Sequence, residues 1–132
     1  DAKWFIEKAR NYSIDREVFG RPIGKNQGIQ FPIATAYAEM RAAELMLKEA
    51  ITLFENGSTN GEEANLAKLL AADASAKSGE SCLQTFGGFG FAEEYDVERK
   101  FRETKLYQIA PISTNLILSY IGEHVLKMPR SY

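Results

Sequence analysis

The sequence predicts an all-α fold, an up-and-down four-helix bundle with an additional short helix, filling one domain over residues 1–132. Three observations predict it. Apolar residues recur at spacings of three and four over long stretches. No stretch shows the sustained two-residue alternation of a half-buried strand. Clusters of glycine, proline and asparagine fall between the periodic stretches and punctuate them.

The first helix is predicted over residues 2–19, with Phe5, Ala9 and Tyr12 on one face and Ile6 and Ser13 beside them. Gly20, Pro22 and Gly24 then break the pattern. The second helix, about Gln30 to Glu55, carries Ile29, Ile33, Ala36, Met40, Ala43, Leu47, Ala50 and Phe54 as one stripe. A stripe of that length suits bundle packing. Tyr37, Leu45 and Leu53 widen its apolar surface. Pro32 lacks a backbone donor and is expected in the first turn, or at a kink. Asn56-Gly57 ends the helix, because both residues tolerate left-handed angles. The polar loop 56–61 leads to Glu62 and Glu63, whose charge suits the positive end of a helix. The third helix runs to about Phe86, with Leu69, Ala72, Ala76, Gly79, Leu83 and Phe86 on a face whose small members admit a close neighbour. A short charged helix is predicted from Glu93 to about Thr104, and a final one from about Ser113 to Leu126. Leu116, Ile117, Tyr120, Ile121 and Val125 spread around that last helix, so burial on two sides is expected.

The apolar fraction of 45% and charged fraction of 26% are those of a soluble globular chain. Net charge is −2 with the signs mixed, which weighs against a general nucleic-acid surface. No apolar run reaches the length of a membrane span. Cys82 is the sole cysteine, so no intrachain disulfide forms, which fits a reducing cytoplasm. The chain starts at Asp1, already within a helical pattern, and reads as a piece of a longer polypeptide.

Several motifs need weighing. Gly87-Gly88-Phe89-Gly90 is glycine-rich, but a dinucleotide fingerprint needs a strand before the glycines, and here a helix precedes them. A helix-ending turn accounts for it. Glu123-His124 lacks the second histidine of a di-iron bundle, leaving His124 as a partly buried bundle residue. Cys82 has no visible base partner and reads as packing. Arg16 offers a planar fork for phosphate oxygens and Phe19 a flat apolar face. By themselves the two also read as a solvated arginine and a core phenylalanine.

Taken in order, three segments resemble the C-terminal domain of acyl-CoA dehydrogenases. Arg16-Glu17-Val18-Phe19-Gly20, followed by Gln27, resembles that family's Arg-x-x-Phe-Gly turn with its downstream glutamine. Gln84 through Phe91, continued by Glu94-Tyr95 and Glu98, resembles its Gln-x-x-Gly-Gly-x-Gly motif. Arg102-Glu103-Thr104 through Tyr107-Gln108-Ile109 resembles the segment leading to the active-site loop. The resemblance covers essentially the whole chain.

It implies the helical C-terminal third of a three-domain FAD enzyme. Such an enzyme desaturates acyl-CoA thioesters and passes electrons to an electron-transfer flavoprotein. Chain length, branching, and the choice between dehydrogenase and oxygen-using oxidase stay open. Arg16 is implied to contact the FAD pyrophosphate, with Phe19 and Ile23 near the adenosine end. Gln84, Gly87 and Gly88 are implied to meet FAD bound mainly by a neighbouring subunit. Ser113 and Asn115 match polar cofactor-binding positions, and Asn26 falls where some relatives have histidine. A homo-oligomer, dimer or tetramer, follows. Where many relatives carry Tyr-Glu-Gly-Thr, with the glutamate as base, this chain has Ala110-Pro111-Ile112-Ser113. Pro111 has no proton to exchange, so the base is expected upstream of Asp1 and this chain alone is expected to be inactive. The alternative is a non-catalytic flavoprotein relative, or a helical oligomerisation and binding module.

Overall fold

A computed structural model describes residues 1–131. Five α-helices account for most of the chain: α1 (Ala2–Asp15), α2 (Gln27–Glu55), α3 (Gly61–Phe86), α4 (Val97–Thr104) and α5 (Thr114–Tyr120). The all-α expectation holds. The strands among the described residues are two antiparallel two-residue segments, β1 (Glu17–Val18) and β2 (Arg21–Pro22), too short to disturb a helical architecture.

α3 is the central element, packing against α1, α2 and α4. Its composition explains why. Ala72, Ala74, Ser75, Ala76, Ser78 and Gly79 are all buried, so three neighbours approach closely from different sides. At Gly79 the approach is tightest: an added Cβ would lie 2.8 Å from a Phe101 ring carbon and 3.3 Å from Phe5. The buried hydroxyls along α3 are satisfied without water. Ser78 and Thr85 donate to the carbonyls four residues back, and Ser75 and Thr104 share a hydrogen bond of 2.5 Å between α3 and α4. Phe5, Ala9, Cys82, Phe86 and Val97 form the main core cluster, with Tyr12 and Phe101 against it.

The helix ends follow local chemistry. At the end of α2, Gly57 (φ 71°) donates to the Phe54 carbonyl and Ser58 to that of Leu53, the paired bonds of a Schellman cap. Ser113 caps α5, its hydroxyl accepting from the Leu116 N–H at 3.3 Å.

Several expectations need correction. α1 stops at Asp15 rather than 19, because Arg16 turns extended (φ −78°, ψ 117°) to begin a hairpin. α2 starts three residues early, which places Pro32 in its second turn, within a continuous helix. Leu47 and Phe54, the large residues at the C-terminal end of the α2 stripe, are exposed, whereas Ala50 between them is buried. The predicted short helix is split: a 3-10 turn over Glu93–Tyr95 precedes α4, with Asp96 left-handed between them. The final helix is not buried on two sides. Only Ile117 is buried in α5, while Leu116 and Leu118 face outward. α5 ends in a π-turn over Ile121–Val125, and His124 there is exposed, its ring 5.0 Å from that of Tyr120.

Candidate functional site: a groove between the hairpin and the glycine turn

Two breaks in the helical pattern meet in space. After Arg16, β1 and β2 pair with Glu17 opposite Pro22 and Val18 opposite Arg21, leaving Phe19-Gly20 as a two-residue loop. Both loop residues have positive φ, 55° and 73°, the signature of a type I′ turn. Gly20 adopts that conformation freely, whereas Phe19 does so at a cost. Its ring is 100% exposed, so the core-phenylalanine reading is wrong, and nothing within the chain compensates the strain by packing.

The second break follows α3. Gly87 (φ 57°, ψ −133°) ends the helix, and a 3-10 turn over Gly87–Phe91 folds back on it. Gly90 permits the fold-back, since a Cβ there would sit 2.8 Å from Leu83 Cδ1 and 3.2 Å from the Leu83 carbonyl oxygen.

Between the hairpin and this turn lies an open groove of about 510 Å³. Arg16, Ile23, Gln84, Gly87 and Gly88 line it, which brings together five of the eight residues singled out in the sequence. The groove has an aromatic floor that sequence reading missed. Tyr12 stacks on Phe86 with ring centroids 3.9 Å apart, Tyr95 meets Phe86 edge-on at 5.3 Å, and Phe89 forms one wall. Tyr12 and Phe86 had been legible only as core positions, because periodicity gives a face and not the lip of a groove. The Arg16 guanidinium stands 5.6 Å from the Phe89 ring centroid. Among the described residues no carboxylate pairs with it.

Gly88 is informative. Its φ is not positive, and an added Cβ would meet nothing within 4 Å. Neither backbone conformation nor packing within the chain requires glycine there. What the missing side chain provides is a bare main-chain surface beside an unpaired arginine, the combination suited to a phosphate-bearing ligand.

Phe19 projects from the hairpin that forms the groove's edge. Ser113 and Asn115 are elsewhere. The segment from α4 to α5 runs antiparallel along α3: Thr104 meets Ser75, Lys68 donates to the Tyr107 carbonyl, and the Tyr120 hydroxyl lies beside Gly61. Lys68 and Gln84 are separated by about 24 Å at 1.5 Å per residue, so Ser113 and Asn115 lie toward the other end of α3. Asn26 accepts from Arg21 at 2.8 Å and donates to the Ile23 carbonyl at 3.0 Å, a role within the turn after the hairpin. Pro111 is exposed in the connection before α5. No Asp or Glu occurs from Lys105 to Gly122. Glu103 is held by Arg99, and Glu123 lies in the π-turn. Cys82 is fully buried, and that burial pushes its thiol up to about 12, which removes it as a nucleophile. Among the described residues no group of side chains has the makings of a metal site, and no helix is long and apolar enough to cross a membrane.

The family model for the acyl-CoA dehydrogenase C-terminal domain matches residues 1–126. Acyl-CoA dehydrogenase FadE12 of Mycobacterium tuberculosis is 36% identical over 132 residues, covering 98% of this chain and 34% of that protein. An acyl-CoA dehydrogenase of Bacillus subtilis is 39% identical over 121 residues, covering 92% and 32%. Butyryl-CoA dehydrogenase from Megasphaera elsdenii superimposes with a TM-score of 0.91 at 31% identity, covering 95% of this chain and 33% of that one. The chain thus spans about a third of the length of the relatives it matches. With the family model matching nearly end to end, and the helical fold, the hairpin and the glycine turn agreeing, the chain belongs to the acyl-CoA dehydrogenase family as its C-terminal domain.

Proposed function

We propose that this chain provides cofactor and subunit contacts to an FAD-dependent acyl-CoA dehydrogenase that desaturates acyl-CoA thioesters and hands its electrons to an electron-transfer flavoprotein. The observation that carries the reading is the groove in which unpaired Arg16 faces the bare backbone of Gly87 and Gly88. FAD, when bound, accepts the hydride; the residues here bind and orient it. Arg16 neutralises the diphosphate with a charge-assisted fork. Phe19, held in a strained turn, and Ile23 cover the adenosine end. Gln84 and the two glycines let main chain come close to the cofactor of a neighbouring subunit. Ser113 and Asn115, at the start of α5 beside the far end of α3, serve the chain's own cofactor, with Ser113 at a helix N-terminus suited to an anion.

The proton acceptor in this reading is a carboxylate on a helix before Asp1, because Pro111 offers none and the loop around it carries no acid. This chain alone is then inactive toward acyl-CoA. Arg16→Ala in the full-length protein tests the assignment. Losing one hydrogen-bonded charge is worth about 1.5–3 kcal/mol, so flavin retention after dialysis is expected to fall at least tenfold in affinity. Equal flavin content in mutant and parent refutes it. Pro111 favours one second reading, a non-catalytic flavoprotein relative. Anaerobic flavin bleaching by acyl-CoA in the full-length protein separates the two, since only a dehydrogenase or oxidase bleaches.

A further inference from the structure

On the other side of the hairpin, between α1 and α2, lies a second groove of about 570 Å³. Ile6 and Ile14 line it from α1, and Ile33, Ala34 and Tyr37 from α2. The helices run antiparallel here, since Ile6 packs against the cluster of Met40 and Ala43 while Ser13 abuts Gly24. Gly24 closes one end of the groove: a Cβ there would lie 2.9 Å from the Ser13 carbonyl oxygen. Lys25 stands at that closed end, and Arg10 partway along. No carboxylate lines the groove. Among the described residues neither cation has an ion-pair partner; the Arg10 guanidinium donates only to the Asn11 side chain, at 3.1 Å. The polar neighbours are already engaged within the chain, Gln30 donating to the Gly24 carbonyl and Ser13 to that of Arg10.

We propose that this groove binds an aliphatic carboxylate, with its head between Lys25 and Arg10 and its alkyl chain lying toward Ile6 and Tyr37. Size and lining agree with that occupant. Ligand sites of a few hundred Å³ with apolar walls and a few polar groups at one end are the ordinary form of small-molecule pockets. Past Arg10 the apolar wall of α1 continues for about 6 Å to Ile6 at 1.5 Å per residue, enough for the first few carbons of an alkyl chain. Two cations without acids beside them select an anionic head over a neutral or cationic one. The site shares the hairpin with the first groove but uses none of the residues assigned to the cofactor.

Isothermal titration of the full-length flavin-loaded protein with decanoate, decanol and decyltrimethylammonium tests this. Saturable decanoate binding is expected, at least about tenfold tighter than either analogue. The double substitution Arg10→Ala with Lys25→Ala is expected to weaken decanoate by at least about tenfold and leave flavin content unchanged. Ile33→Asp is expected to abolish binding; because that change can disturb folding, the exposed Arg10 and Lys25 variants decide the matter. Equal binding of decanol and decanoate, unchanged affinity in the double variant, or no binding to the full-length protein overturns the proposal.

Discussion

Gly79 shows how one missing side chain organises this molecule. Two phenyl rings, from α1 and α4, rest where its Cβ would be, and Phe5 is fully buried and unable to move aside. Gly79→Ala gains about 1 kcal/mol of helix propensity but overpacks the junction at a cost of about 1–3 kcal/mol. A net loss is expected, seen as a lower urea midpoint by circular dichroism; an unchanged or higher midpoint would mean that the rings yield. Cys82, in the same cluster, gives a pH signature. Burial pushes the thiol up from 9.0 to about 12, with Lys8 pulling weakly the other way. The folded state therefore holds the proton more tightly than the unfolded one. Its contribution is fully present below pH 9.0 and lost as pH rises toward about 12. The difference in stability between the chain and Cys82→Ala is expected to be flat up to pH 8.5 and to shift against the cysteine form at pH 10.5. Parallel pH profiles would contradict the burial effect.

At the scale of elements, α2 carries an internal fault. Pro32 is its sixth residue, so the Gly28 carbonyl receives no helical donor. Pro32→Ala restores that donor and removes the ring's clash with the preceding turn. The gain exceeds the roughly 0.4–1 kcal/mol of unfolded-chain entropy that proline saves. Pro32→Ala is expected to stabilise the chain by about 1–2 kcal/mol, raising the melting temperature; a decrease would show that the Pro32 ring has a packing role on α2. The hairpin and the glycine turn are the opposite case. Both interrupt helices, both carry positive φ angles, and both border the groove assigned to the cofactor. Phe19, Gly20 and Gly87, three of the six positive-φ residues among those described, lie in these two breaks.

For the whole molecule, the decisive feature is how much apolar surface one copy leaves uncovered. α2 exposes Phe31, Leu45, Ile51 and Phe54, the last of them 72% exposed. They fall on two sides of the helix at about 100° per residue, Phe31 with Leu45 and Ile51 with Phe54, and exposed apolar surface of this extent marks interaction. The chain is expected to self-associate as a dimer or tetramer in sedimentation velocity, and Leu45→Glu with Phe54→Glu to shift it toward monomer. A clean monomer for the unsubstituted chain at high concentration would refute this.

The sequence by itself determined the helical class, the central stretch of α2, the Asn56-Gly57 stop, the acidic start of α3 and the two motif-bearing breaks. All of these are local: they follow from 3.6-residue periodicity, from the missing Cβ of glycine and from the missing donor of proline. Arg16, Gln84, Gly87 and Gly88 were legible as candidates only through the ordered resemblance to the acyl-CoA dehydrogenase C-terminal domain; alone, each read as an ordinary surface or turn residue. Only the tertiary structure decided that Arg16 and Gly88, 72 residues apart in the chain, face one groove. It also decided that Tyr12 and Phe86 form its floor, and that α3 rather than α5 is enclosed. The physical reason is that periodicity states how many faces of a helix are apolar but not what covers them. α3 disguises its burial with alanine and serine, whose small size admits three neighbours. α5 displays Leu116 and Leu118 on surfaces that this chain alone leaves to solvent.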